Sequence, residues 1–399
     1  MRTIVFILLA LIARISYSQT GWIELTSGTK VRLNSVVFPA KYIGYVVGDS
    51  GTFLRTSDGG ATWVSFPCPT SQDLYGVDFT DVLNGIVVGD SGTIIRTTNA
   101  GDSWTLPTHE SRFDFRAVSF SSSKNGVAVG GNGMIRVTTN EGASWVAEIS
   151  GATKTFNSVY SSSLQNNIAV GDIGLIMHTF SSSSWYGGNS GTGNSLFDAY
   201  MHDSFLATAV GDSGMIIRTT YGGWDWVRLS SPTTNALHAI SFADKQTGMI
   251  AGDSGTILFT SDTGNTWIQQ PSGMTNSLRD IAMIDAKNAY AVGVGGTILH
   301  TVTGGLSSVH NTTKAFLSQN YPNPARESTK IAFIVENAGR VTIDVFDGLS
   351  QHMVSLLDEV LPSGVHNVIL DTRSLPCGVY YYRIWSGGET TTEKLIVHR

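Results

Sequence analysis

Cysteine is nearly absent from this 399-residue chain, which carries only Cys68 and Cys377. The two fall in different candidate domains and neither neighbourhood has CxxC or Cys/His spacing, so neither a disulfide framework nor a thiolate metal site is expected. Charge is scarce as well, at 14% of residues, with a formal net charge of -6. That balance removes the electrostatic case for nucleic acid or anionic lipid as partner and requires any basic site to be local. Long apolar runs are missing but for one, Ile4 to Ala13. It is about half of what a membrane-crossing helix needs, so no transmembrane segment is expected. Arg2 precedes it, and Arg14 and the small-x-small triplet Ser16, Tyr17, Ser18 follow it. This is the pattern of a cleaved signal peptide over residues 1–18, which leaves a soluble exported chain starting near Gln19. No histidine spacing suits zinc, and no Ser-His-Asp constellation or glycine-rich phosphate loop is present, so no metal or cofactor is expected.

Glycine, by contrast, is abundant, at 44 residues. Gly48, Gly89, Gly130, Gly171, Gly211, Gly252 and Gly293 recur every 41 residues with one 40-residue step, each inside a near copy of VVGDSGTIIRT. A period of 40 to 45 residues built of short β-rich runs and ending on tryptophan is the mark of propeller blades. The second repeat parses into LYGVDF (74–79), GIVVGD (85–90), TIIRTT (93–98) and WTL (104–106), four strands separated by turn formers. The fold class is therefore all-β, a seven-bladed β-propeller over residues 19–305. The first strand of each blade lines the axis, and the second-to-third turn and the fourth-to-first connector share one face.

Between the third and fourth strands, Thr56, Asp58, Gly60, Thr62 and Trp63 fit S/T-x-D-x-G-x-x-W, and Thr260, Asp262, Gly264, Thr266 and Trp267 fit it again. This resembles the Asp-box of the BNR repeat families. The Asp accepts backbone N–H groups in the tight turn, the Gly supplies the conformation and the Trp packs between blades, a structural staple. Asn99 and Asn140 keep that chemistry, Tyr221 does not, and the fourth repeat has only serines before Trp185. The seventh repeat ends at Gly305 without a tryptophan, whereas Trp22 opens an orphan strand, WIEL. Trp22 stands 11 residues before Leu33, the interval found in every repeat. The N-terminal strand is therefore expected to complete the last blade and remove the free edges.

A connector over 306–319 leads to a second pattern, about 80 residues of alternating strands that form a small immunoglobulin-like β-sandwich over 320–399. Its Asn320-Tyr321-Pro322-Asn323-Pro324, the Asp347-Gly348 turn, Gly364 with His366, Gly378 through Tyr382 and the terminal Lys394 to Arg399 resemble the type A C-terminal sorting domain of the type IX secretion system. The resemblance implies recognition by the type IX machinery and delivery to the outer-membrane surface or beyond, through the periplasm of a bacterium.

The propeller resembles the photosystem II stability/assembly factor family across roughly residues 20–305, on VVGDSGTFLRTSDGGATW and VVGDSGTIIRTTNAGDSW. That resemblance implies protein binding without catalysis; beside a type IX tail a photosynthetic role is not expected. Asp-boxes also occur in sialidases and some endoglucanases, so a secreted glycoside hydrolase, or a lectin, is the alternative. A glycosidase needs two facing carboxylates on long dissimilar loops, and the constant 11-residue interval leaves no blade with an inserted loop there. A non-catalytic binding or scaffold role is therefore expected, with a protein or a glycan as ligand.

Three rings of equivalent positions bear on the ligand. Asn34, Tyr75, Arg116, Asn157, Phe197, His238 and Arg279 open the inner strands and vary as a binding mouth would; packing between blades is the other reading. Asp49, Asp90, Asp172, Asp212 and Asp253 follow the repeat glycines, where turn-making through the local backbone explains them better than a shared cation. Arg55, Arg96, His178, Arg218 and His300 form either a basic rim or a set of pairs with neighbouring blades.

Overall fold

The computed structural model describes residues 21–106, 112–180, 184–305, 315–317, 320, 322–335, 339–348, 351–362, 364–386 and 389–398. The expected signal peptide over 1–18 lies outside them. The chain divides into two compact units, 1–306 and 307–399.

The first unit is the propeller. The strands of each blade step outward in chain order, save that the last blade takes its outer strand from the start of the propeller, and all blades but one are four-stranded antiparallel sheets. The exception is blade 2, whose expected outer strand at 104–106 is reduced to one bridge between Arg96 and Thr105, closed by two backbone hydrogen bonds of 2.8 Å. Closure follows the tryptophan count. The strand Gly21–Leu25 pairs antiparallel with Ile298–Gly305, the third strand of the last blade, and Trp22 is buried in the core between the last two blades.

The last five residues of each second strand are buried, as in Gly85–Gly89, and a hydrophobic cluster lies in each gap between neighbouring blades. The repeat glycines stand where this packing is tightest. Their backbone is extended, near φ -162° at Gly48, so their role is not left-handed conformation. A Cβ at Gly48 would overlap the carbonyl oxygen of Arg32, and at Gly130 that of Asp114, the residues that precede the inner strands. The next amide donates to the same carbonyl, Asp49 N to Arg32 O at 3.0 Å and Gly131 N to Asp114 O at 3.0 Å. Strand two and the incoming connector are thereby held at a distance that no side chain permits.

The Asp-boxes act as staples. Asp58 accepts from Thr56 Oγ1 (2.8 Å), Thr62 N (2.9 Å) and Thr62 Oγ1 (2.6 Å). These bonds, led by the Thr62 hydroxyl, pull its pKa down to about 2. Asn99 accepts from Ser103 N at 3.0 Å and so keeps the turn. Tyr221 leaves only Thr219 Oγ1 to accept from Tyr221 N and Gly223 N.

The second unit contains the sheets Ala315–Leu317, Ser328–Val335, Gly364–Asp371 and His352–Leu361, Gly339–Asp347, Gly378–Ser386, Glu389–Val397. Two boundaries differ from expectation. Ala315–Leu317, placed in the connector, pairs with Phe333–Val335. His352–Leu361 is a strand that the sequence pattern did not reveal; it is mostly exposed and pairs through two register shifts, so apolar alternation is lost. The NPNP-like motif has a structural role. Asn320 N donates to the Tyr382 hydroxyl at 3.0 Å, and Asn323 exchanges bonds with Lys394 O (3.0 Å) and Ile396 N (2.9 Å) on the last strand.

The glycine contact predicts a contrast. Gly130→Ala is expected to lose about 1–3 kcal/mol through overpacking, whereas Gly193→Ala, with open space around its Cβ, stays close to wild type. Thermal and urea midpoints of the two variants check this, and equal midpoints refute it.

Candidate functional site at the propeller axis

All seven mouth positions line one axial cavity of about 450 Å³. The reason is local: in most blades the inner-strand register shifts after its first residue, as between Leu33 and Ser35 or Leu278 and Asp280. The bulged second residue, Asn34 or Arg279, turns toward the axis.

The ring divides into clamps and groups presented to the cavity. Asn34 Nδ2 donates to Asp49 Oδ1 (2.9 Å) and to Leu74 O of the next blade (2.8 Å). Asn157 repeats this with Asp172 Oδ1 and Leu196 O, both at 3.0 Å. For these two the packing reading is the right one. The Arg116 guanidinium lies over the Tyr75 ring at 4.3 Å and bonds Asp114 at 2.9 Å. On the other side Phe197 packs against His238 at 5.1 Å. His238 Nε2 lies 2.8 Å from Asp253, and Arg279 Nη1 lies 3.0 Å from that same ring nitrogen and 3.4 Å from Nδ1. The tautomer that satisfies both partners has Nε2–H donating to Asp253 and Nδ1 accepting from Arg279. Burial, the largest effect, lowers the His238 pKa despite the Asp253 bond, and the nearby Arg279 charge lowers it further.

Arg279 differs from the other cations of the mouth. No ion pair joins it to a carboxylate among the described residues, and its buried Nε has no hydrogen-bond partner there. Arg32, just ahead of the first inner strand, adds a cation paired with Asp49 at 3.1 Å. The facing blades carry Asp73, Asp90 and Asp114, and the hydrogen bond that protonated Asp90 donates to Asp114 is the main cause of a raised Asp90 pKa. Blade 2 thus brings Asp73 and Asp90 to the mouth without a cation of its own, and blade 7 brings Arg279, whereas blades 1 and 3 each bring an arginine already paired with an aspartate.

The other two rings resolve. The aspartates after the repeat glycines do not bond the local backbone as a rule: Asp49, Asp172 and Asp253 receive mouth side chains, whereas Asp212 caps its own turn, from Ser213 N at 2.7 Å. The arginines of the basic register pair with neighbouring blades. Arg55 meets Asp102 and Arg96 meets Glu141, each at 3.2 Å, and Arg218 bonds Asn265 at 2.5 Å, whereas His300 stacks on Tyr290 of its own blade. His178 meets Trp224 edge-on with ring centroids 4.6 Å apart.

Comparison with known proteins agrees with both units. Residues 15–194 match the family described as photosynthesis system II assembly factor YCF48, and residues 319–398 match the secretion system C-terminal sorting domain. The tail is a type IX sorting domain, which implies secretion. No curated protein matches. Among solved structures, "YCF48 bound to D1 peptide" aligns at TM-score 0.61 and 20% identity, over 72% of this chain and 96% of that one. "YCF48 from Cyanidioschyzon merolae" aligns at 0.59 and 21%, over 70% and 98%. The WD40 propeller domain of Doa1 aligns at 0.58 and 13%, over 70% and 96%. At these identities the likeness is one of fold.

Below the mouth the axis carries three half-buried carboxyl groups that sequence reasoning missed. Asp78 accepts from Phe120 N (2.7 Å), Asp198 from Ile240 N (2.8 Å) and Ser158 Oγ (2.6 Å), and Asp280 from Val36 N (2.8 Å). Each ties an inner-strand amide of the next blade, a donor with no ladder partner, to its own blade. The one available signal was an Asp inside a β-rich run, where it is disfavoured. Burial pushes Asp78 and Asp280 up to about 7 and Asp198 to about 6. Such groups stay protonated in the folded state above the unfolded pKa, so their contribution to stability falls as pH rises from about 4 to 7. Buried His178 and half-buried His202, His238 and His300 have lowered pKa values and work in the opposite sense over the same window. Asp280→Asn isolates the carboxyl part: its stability relative to wild type should improve steadily between pH 4 and 7. Urea midpoints that run parallel across that range would refute it.

Proposed function

We propose that this exported chain is a non-catalytic binding protein that captures an acidic, aromatic-bearing protein segment in the axial mouth. The observation that carries this reading is Arg279, a cation set in the cavity wall beside His238 without a carboxylate of its own. Buried charges are ordinarily paired, because desolvation is expensive. A partner carboxylate supplies the missing counter-charge, and charge-assisted bonds of this kind are among the stronger ones. Tyr75 under Arg116, with Phe197 across the mouth, offers aromatic surface of the sort that anchors protein interfaces. A fold relative in complex with a peptide supports a peptide in preference to a glycan. The half-buried carboxyls at 78, 198 and 280 are occupied in joining blades, which leaves them poorly placed as an acid and base pair for hydrolysis. The sorting domain then serves delivery, and outer-membrane attachment or release decides where the mouth meets its partner.

Selection of a displayed random peptide library on the full chain tests this. Enriched peptides should carry Asp or Glu beside Phe, Tyr or Trp. Their affinity should fall roughly tenfold or more in Arg279→Gln, and further when Arg116→Gln and Tyr75→Ala are added, with unchanged melting. Absence of enrichment, together with glycan-array binding or turnover of chromogenic glycosides, would overturn the reading.

A further inference from the structure

Six of the seven gaps between blades are plugged in the same way. The sixth residue of the inner strand is Phe38, Phe79, Phe120, Met201, Phe242 or Met283, and each packs into the core shared with the preceding blade. The plug needs a small residue beneath it. Phe79, Phe120 and Phe242 stand opposite Gly85, Gly126 and Gly248, and Met201 and Met283 stand opposite Ala207 and Ala289. Phe38 similarly covers Gly44.

Blade 4 breaks this pattern on both sides of the pair, with Ser161 opposite Asn167. The two bond each other, Ser161 Oγ to Asn167 Oδ1 at 2.6 Å, and Asn167 Nδ2 donates to Thr179 Oγ1 at 3.0 Å. In the gap between blades 3 and 4 a cavity of about 250 Å³ stands where the other gaps hold a ring or a thioether. Thr139, Leu164 and Gln165 are exposed at its opening; Gly126, Val127, Ser161, Asn167 and Thr179 are buried at its base. Its one charged lining residue is Glu148, whose Oε2 accepts from Trp185 Nε1 at 2.6 Å.

We propose that this gap is a binding site for an uncharged aromatic ring bearing a hydroxyl, of the phenol type. The walls are largely apolar and replace the missing Phe, which fits a ring. Glu148 repels an anion, and an ammonium would be desolvated against Val127 and Val137, so the ligand is neutral. Glu148 Oε1 has no hydrogen-bond partner among the described residues, and with Gln165 and Thr139 it can receive a ligand hydroxyl. This site is separate from the mouth and does not depend on the function proposed for it.

The test uses p-cresol as probe on the full chain, followed by saturation-transfer NMR. Saturable binding is expected in wild type. A loss of at least tenfold is expected in Ser161→Phe/Asn167→Gly, which restores the plug and its glycine and should melt no lower than wild type. Thr139→Trp, at the exposed opening, should block the probe as well and serves if the double variant folds poorly. N-acetyltyrosine amide separates the two sources of such a ring: competition with p-cresol supports a partner's tyrosine, and no competition supports a free phenol. No binding to wild type, or equal binding in both variants, overturns the proposal.

Discussion

The contact on which this architecture depends is the approach of each repeat glycine to the carbonyl just ahead of the neighbouring inner strand. Where Gly48 meets Arg32 O, the following amide, Asp49 N, bonds that same oxygen. Connector, second strand and turn are thus joined at one point in every blade. With that point fixed, the inner strand has one residue too many for its partner, and the surplus becomes the bulge. The bulged residue is the mouth residue. The element that makes the repeat regular therefore also projects its most variable side chain onto the axis.

Regular placement does not give the seven positions one role. Asn34 and Asn157 are consumed by bonds that cross to the next blade, so their chemistry serves cohesion. Arg116 retains Asp114 as a counter-charge and Arg32 retains Asp49, whereas Arg279 leans on a histidine that burial keeps neutral. The positions of this mouth differ in whether a counter-charge is already present. Burial deeper in the axis turns the same principle inward. Asp78, Asp198 and Asp280 meet backbone amides in place of cations, which satisfies the strand edges, while desolvation outweighs those bonds and favours the protonated form.

Much of this was legible because the repeat multiplies weak signals. Period, blade count and closure by Trp22 each rest on several copies in register, and the mouth ring follows from counting one position past the first core residue of each inner strand. Single events were not legible. The exposed strand His352–Leu361 carries no alternation, the outer strand of blade 2 shrinks to a bridge, and Ala315–Leu317 is too short to stand out from its connector. The axial carboxyls were hidden for another reason. Asp78 sits two positions after Gly76, where Asp198 and Asp280 have their equivalent, so no column of the repeat contains all three.

The departures of blade 4 can be traced to one another. Thr179 holds the place of Thr56, whose hydroxyl accepts from Gly60 N and donates to Asp58 in an intact Asp-box. The fourth repeat lacks that Asp and is the one that is 40 residues long. Here the Thr179 hydroxyl accepts from Asn167 N and Nδ2 instead. An asparagine at 167 could not lie beneath a phenylalanine, since at the equivalent sites even a Cβ would crowd the ring, as at Gly126 under Phe120. Ser161 is therefore the size the polar pair requires. Loss of the staple, the polar pair and the unfilled gap form one linked change. A repeat that has exchanged its cohesive parts together, while its inner and second strands keep the common register, is the part of the ring least constrained by cohesion and most open to acquiring a ligand.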